Sequence, residues 1–220
     1  MFEEGMVRML LEGTRDTLYM TLVSTLMGYV IGLPVGILLT ISDKDNIRPN
    51  SVIYRVLDVI VNIMRSIPFL ILLILVIPIT RFLVGKSYGS SATIVPLVIE
   101  AAPFIGRMVE SSLKEVDKGV IEAAQSMGAD NWTIIFKVLI PEARTSLLYG
   151  VTIVIGTILG YSAMAGTVGG GGLGDIAIRY GYHRYQTDVM IVTIVILVFL
   201  VQVLQALGMY LSKKLDRRIA

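Results

Sequence analysis

Apolar residues in this chain come in long blocks separated by polar intervals. No charged residue lies between Asp16 and Asp43, and about Leu18–Thr40 reads as a first span. About 20 apolar residues are enough to cross a hydrocarbon core of ~30 Å. Similar blocks run at about Val56–Thr80, Ala92–Ser112, Leu147–Ala165 and Val189–Leu211. The pattern predicts an all-α, polytopic membrane protein with five transmembrane helices, because lipid offers the backbone no hydrogen-bond partner. In the first block Gly28, Gly32 and Gly36 recur every fourth residue, a stripe against which another helix can pack closely. With Gly150, Gly156 and Gly160 of the fourth block it offers close-packing faces for a dimer. Pro34 predicts a kink.

Ahead of the first block, residues 1–13 are amphipathic. Phe2, Met6, Met9 and Leu10 share a helical face, and Glu3, Glu4, Arg8 and Glu12 surround it. This predicts a short helix lying at the membrane interface. It lacks the basic start, apolar stretch and cleavage site of a signal peptide.

The longest polar interval is 113–146. Val120, Ile121, Ala124 and Met127 fall on one face of a short helix, and Gly128 suits a left-handed residue closing its last turn. Asp130 or Asn131 can cap a second short helix carrying Ile134, Ile135, Val138 and Leu139. Pro141 marks a boundary before the next block. Geometry leaves two readings of the interval: a structured loop between spans, or a stiff knob that docks on a partner.

The chain has 220 residues, of which 55% are hydrophobic and 16% charged, too apolar for an ordinary soluble domain. It has no cysteine, which excludes disulfides and thiolate metal sites. The net charge of +2 is uninformative, but its distribution is not. An odd number of spans puts the termini on opposite sides. Placing the C-terminus inside gives 12 lysines and arginines on the cytoplasmic side against 6 outside, with Arg65 left in a span. The expected topology therefore has an outside N-terminus, a cytoplasmic C-terminus and a cytoplasmic 113–146 interval.

Two charges interrupt the apolar blocks, Arg65 and Glu100. Such groups cost a few kcal/mol in a span and generally face a bundle interior or a wet cavity. They are candidates for a translocation pathway. The alternative is a structural ion pair, or a side chain reaching the interface. Asp58, seven residues before Arg65, lies on the same face as a candidate partner. Pro68 and Pro103 free backbone carbonyls close to both charges, as expected of helices broken around a cavity.

Other motifs carry little. Val84-Gly85-Lys86-Ser87 has the end of a phosphate loop, but Thr80 stands where its first glycine belongs. Gly169-x-Gly171-x-x-Gly174 spells a dinucleotide fingerprint, yet it follows a membrane helix, which favours a tight external loop. His183, the one histidine, has no metal partner nearby. No catalytic constellation, metal site or nucleic-acid-binding feature is visible.

Glu122-Ala123-Ala124, Gly128 and Val138-x-Ile140-Pro141 resemble, in order and spacing, the EAA loop of bacterial ABC importer permeases. The likeness runs from about Thr14 to the end. Arg65-Ser66-Ile67-Pro68-Phe69, Ala101-Ala102-Pro103-Phe104-Ile105, Arg107-Met108-Val109-Glu110 and Gly160-Tyr161-Ser162-Ala163-Met164 are similar to the methionine-uptake branch. The resemblance implies a type I ABC permease domain over 14–208, with a basic tail from 209 to 220. It implies a coupling helix seated on an ATP-binding subunit, with Glu122, Ala123, Ala124, Met127 and Gly128 at the contact. It also implies two copies of this chain, two ATP-binding subunits carrying ATP and Mg, and an external binding protein or lipoprotein, assembled in the bacterial cytoplasmic membrane among its lipids. No cofactor and no enzymatic activity are expected in this chain. Glu100 departs from the small or apolar residue expected at its position. A permease for another amino acid or small polar solute, a secondary transporter working alone, and a membrane scaffold are the competing readings.

Overall fold

The computed structural model describes residues 4–215. Phe2, Glu3 and the tail residues Arg217 and Arg218 lie outside the described residues. Every regular element among the described residues is helical.

The first helix, α1 (Glu4–Ser42), is 39 residues long. It takes in the described part, residues 4–13, of the interfacial helix expected over residues 1–13, and runs on through Pro34 without interruption. Tertiary contact explains the correction. Leu10 is buried with Leu173, Ile176 and Val189, and Met6 and Met9 pack on that cluster, so this face rests on protein. The same amphipathic period serves either purpose.

Helix α2 (Ser51–Arg65) starts at Asn50, whose Oδ1 accepts from Val52 N and Ile53 N at 3.1 and 3.0 Å. It ends at Arg65, and α3 (Phe69–Leu75) leaves at 99° to it, followed by α4 (Ile77–Val84). Pro68 has no N–H to continue the ladder and disfavours helical backbone at Ile67. The expected single span over 56–80 is therefore broken. Helix α5 (Ser90–Lys114), in contrast, continues through both Pro96 and Pro103. The break expected at Pro103 does not occur, because α5 is packed along most of its length and neighbouring helices hold it.

The polar interval folds into α6 (Lys118–Ser126), α7 (Asn131–Thr133), a wide π-type turn over Ile134–Leu139 and α8 (Ile140–Glu142). Helix α9 (Arg144–Ala165) leads through the glycine-rich turn into α10 (Gly172–Ile176), a second π-type segment (Ala177–Tyr182) and α11 (Thr187–Leu215). Four helical stretches are long and apolar enough to cross a membrane, and the bent α2–α3 pair makes a fifth. Helix α11 is apolar nearly all round, with Ile191, Val195, Val198 and Phe199 exposed, as a lipid-facing helix would be.

The most extensive packing is between α1 and α5. A Cβ on Gly32 would lie 2.6 Å from the Ala102 carbonyl oxygen, and one on Gly36 2.6 Å from that of Gly106. The glycine stripe of the first span is thus consumed within the chain rather than left for a second copy. In α9, Gly156 abuts Gln205 of α11, while Gly160 has open space around it. Gly32→Ala should destabilise the protein by about 1–3 kcal/mol, the usual cost of overpacking. Gly5→Ala on the same helix, where nothing lies within 4 Å, should be neutral or mildly stabilising. Thermal unfolding of the purified chain in detergent checks the contrast.

Candidate coupling surface and intramembrane charges

The short helix α6 is built to be stiff. Asp117 caps its start, its Oδ1 accepting from Gly119 N at 2.7 Å. At its end Gly128 N donates to Gln125 O at 2.9 Å and Ala129 N to Ala124 O at 3.0 Å, the paired bonds of a Schellman motif. Gly128 has φ +78°, the left-handed conformation its sequence position predicted. Only Glu115, Val116 and Asp117 separate α5 from α6. Ile121 and Ala124 are buried with Val116, Leu113, Ile134 and Leu139, which locks the helix onto the bundle.

The outer face differs from the one read from periodicity. Met127 is 82% exposed and Val120 41%, so of the four apolar positions only Ile121 and Ala124 face inward. Glu122 and Ala123 are also exposed. Beside them Trp132 and Phe136 stack, centroids 5.7 Å apart and both exposed. Their i,i+4 spacing in a polar interval was the available signal, and sequence reading passed over it. Asp130 caps α7 by accepting from Thr133 N at 3.2 Å. Hydrogen bonds from Thr133 hold its carboxyl below the usual carboxylate range. A helix locked on one side thus presents a mixed apolar and polar surface on the other.

A charge network joins this end of the bundle to the spans. Glu110 of α5 is buried, and both its oxygens are engaged. Oε2 accepts from Arg107 at 2.7 Å, and Oε1 faces Lys114 Nζ at 2.9 Å and the Tyr54 hydroxyl at 3.3 Å. Arg107 also reaches Asp58 of α2 at 2.6 Å and Asn62 Oδ1 at 3.0 Å. Lys114 reaches Asp43, just beyond α1, at 2.7 Å. Asp58 therefore pairs with Arg107 and not with Arg65, correcting the same-helix assignment.

Arg65 and Glu100 come close without pairing directly. Arg65 ends α2 at the 99° break, with its guanidinium 5.9 Å from the centroid of the Phe104 ring. Glu100 is one turn before Phe104 on α5 and is buried. Arg65 supplies an opposing charge that acts on it. Next to them Phe69 of α3 stacks on Tyr161 of α9, centroids 4.7 Å apart. At the far end of the bundle the glycine-rich turn is tied down from three sides. Leu173 N donates to Thr17 Oγ1, Thr93 Oγ1 donates to Gly170 O, and Gly89 N donates to Gly169 O.

A family model described as "Binding-protein-dependent transport system inner membrane component" matches residues 32–220. The chain is 50% identical over 210 residues to a probable D-methionine transport system permease protein of Vibrio cholerae, covering 96% of this chain and 93% of that one. It is 46% identical over 205 residues to the methionine import system permease protein of Bacillus subtilis, covering 93% and 92%. Among solved structures it is similar to a chain of the MetNI methionine ABC transporter in inward-facing conformations. The TM-score is 0.97 and the identity 49%, covering 98% of this chain and 100% of that one. An amino acid ABC transporter solved with histidines shares the fold at TM-score 0.77 and 21% identity.

Removing the hub of the network should be costly. Glu110→Ala removes the acceptor that Arg107 and Lys114 share, while Asp58 and Asp43 still pair with them, and should destabilise by about 1–3 kcal/mol. The hydrogen bond from Lys114 holds Asp43 below the usual carboxylate range. Its contribution is then present above the unfolded-state pKa and is lost as pH falls through the lower folded value. The stability difference between wild type and Asp43→Asn should therefore be largest near neutrality and vanish in acid. Unfolding midpoints of both proteins across pH check this.

Proposed function

The chain belongs to the family of binding-protein-dependent transport system inner membrane components, and from that premise we propose that it is the membrane-spanning permease of an ATP-driven importer of methionine. The similarity to methionine permeases over nearly the whole chain supports the substrate. The observation that carries the mechanism is the docking face of α6, exposed and polar-apolar on one side and locked to α5 on the other.

In this reading two copies of the chain assemble with two ATP-binding subunits, which hold ATP and Mg. An external binding protein or lipoprotein delivers substrate, and membrane lipid covers the apolar faces. The N-terminus lies outside, and the C-terminus and α6 lie in the cytoplasm, as the distribution of lysine and arginine favours. Glu122, Ala123, Ala124, Met127 and Gly128 form the contact with the ATPase, extended by Trp132 and Phe136. ATP closes the ATPase pair and draws the two α6 helices together. The three-residue link and the Glu110 network carry that displacement into α5, α2 and α1. The spans then shift between inward and outward openings, and Arg65 and Glu100 line the path at the broken second span. Coupling of this kind is a difference in contact free energy between two packed states.

Gly128→Pro should uncouple the system. Proline holds φ near −65° and has no N–H for Gln125, so the closing turn of α6 cannot form. ATPase co-purification and methionine uptake should fall together while the permease still inserts; wild-type uptake would contradict the docking role. Reporter fusions give an independent check on orientation. A fusion after Ser126 should read cytoplasmic and one between Gly170 and Gly172 external, and the reverse pair would overturn the topology.

A further inference from the structure

Glu100 and Glu110 are two buried carboxylates on one helix, about 15 Å apart along its axis. Glu110 has a partner for each oxygen. Glu100 is 6% exposed, and its Oε2 has no hydrogen-bond partner among the described residues. A buried carboxylate oxygen left in that state is costly, and a direct salt bridge would be the simplest remedy. Arg65 is the opposing charge, yet it stands over Phe104 and does not close onto Glu100. Tyr161 interacts electrostatically with both groups and stacks on Phe69. An acid and a base are therefore held apart beside an aromatic pair, at the break of the second span.

We propose that Glu100 and Arg65 form a transient site for an α-amino acid zwitterion inside the membrane. The Glu100 carboxylate accepts from the α-ammonium, and the Arg65 guanidinium donates to the α-carboxylate. The stacked Phe69–Tyr161 pair gives the substrate side chain an aromatic wall on one side. An ammonium brings three donors to an oxygen that lacks one, and a guanidinium matches a carboxylate with two parallel bonds. The substrate thus completes a salt bridge that the protein leaves open. This rests on the reading that the chain translocates an amino acid through this region. It adds that the permease itself, and not only a delivering protein, recognises both backbone charges.

The chain has no cysteine, so Ser66→Cys, next to Arg65, introduces a single thiol at the site. In the assembled permease–ATPase complex, labelling of this thiol by a charged, water-soluble thiosulfonate is followed on the permease. In the nucleotide-free state methionine should slow labelling severalfold. N-acetylmethionine, which lacks the ammonium, and methioninol, which lacks the carboxylate, should not slow it at the same concentration. Adding Glu100→Gln should abolish protection by methionine without changing the ligand-free rate. Equal protection by all three compounds, or protection that survives Glu100→Gln, overturns the zwitterion site. If Glu100→Gln fails to assemble, the analogue series on the Glu100 protein decides. Labelling that falls when ATP is trapped but ignores methionine rejects the site and keeps the pathway reading. A thiol that is unlabelled in every nucleotide state rejects both.

Discussion

A carboxylate taken out of water needs compensation at each oxygen, and Glu110 obtains it from two helices, its own and α2. Arg107 and Lys114 come from its own helix, Tyr54 from α2, and the same two cations reach on to Asp58 of α2 and to Asp43 beyond α1. The two cations thereby bridge the buried Glu110 to partly exposed carboxylates on α2 and beyond α1, which ties the three elements together at this end of the bundle. Ser146 Oγ donates to Ser112 Oγ and Ser212 Oγ to the Thr145 carbonyl, which ties α9 and α11 to the same end. The exposed face of α6 is thereby mounted on a polar-bonded platform rather than on a loop.

Above this platform the constraint changes from charge to shape. The α1–α5 contact has room for hydrogen atoms only at Gly28, Gly32 and Gly36, so these two helices form a rigid pair. Helix α2 belongs to the pair through Asp58 and Tyr54, but α3 departs from it at 99°. The break falls at Ser66–Pro68, beside Arg65 and within reach of Glu100. The rigid scaffold thus ends at a break next to the two intramembrane charges. The packing differs from that of a soluble domain in one further respect. Large apolar residues such as Leu26, Val30, Ile74 and Phe199 are exposed on the single chain, as a protein built to sit in a membrane requires.

Much of this was legible in the sequence where a local rule applied. Helices α5, α9 and α11 cover the third, fourth and fifth apolar blocks, and Gly128 has the left-handed backbone that its place at a helix end implies, a conformation that favours glycine. The N-terminal helix was misplaced because an amphipathic stripe cannot state whether lipid or α10 and α11 covers it. Pro68 marked a break but carried no angle, and Pro103 looked identical yet broke nothing. Asp58 is a candidate partner for Arg65 in the sequence because both lie on one face of one helix, whereas its partner, Arg107, sits on another helix with no sequence relation to it. Glu110 and Arg107 appeared only as letters of a motif. Their network depends on the α1–α2–α5 packing, which is a tertiary fact. The apolar face of Val120, Ile121, Ala124 and Met127 splits in the structure, because periodicity alone does not say which of its members the bundle covers: Ile121 and Ala124 are buried and Met127 is exposed.

The central claim is that α6 and α2, up to the break in the second span, move as parts of one rigid body. Spin labels at Ser126→Cys, and separately at Ser66→Cys, would give the distance between the two copies in the assembled transporter by pulsed electron resonance. Each is measured without nucleotide and with ATP trapped. The account predicts that both distance distributions shift together on trapping, and that Glu110→Gln leaves the shift at residue 126 while blurring the one at residue 66. A clear shift at residue 126 with an unchanged distribution at residue 66 in the wild-type chain would contradict it.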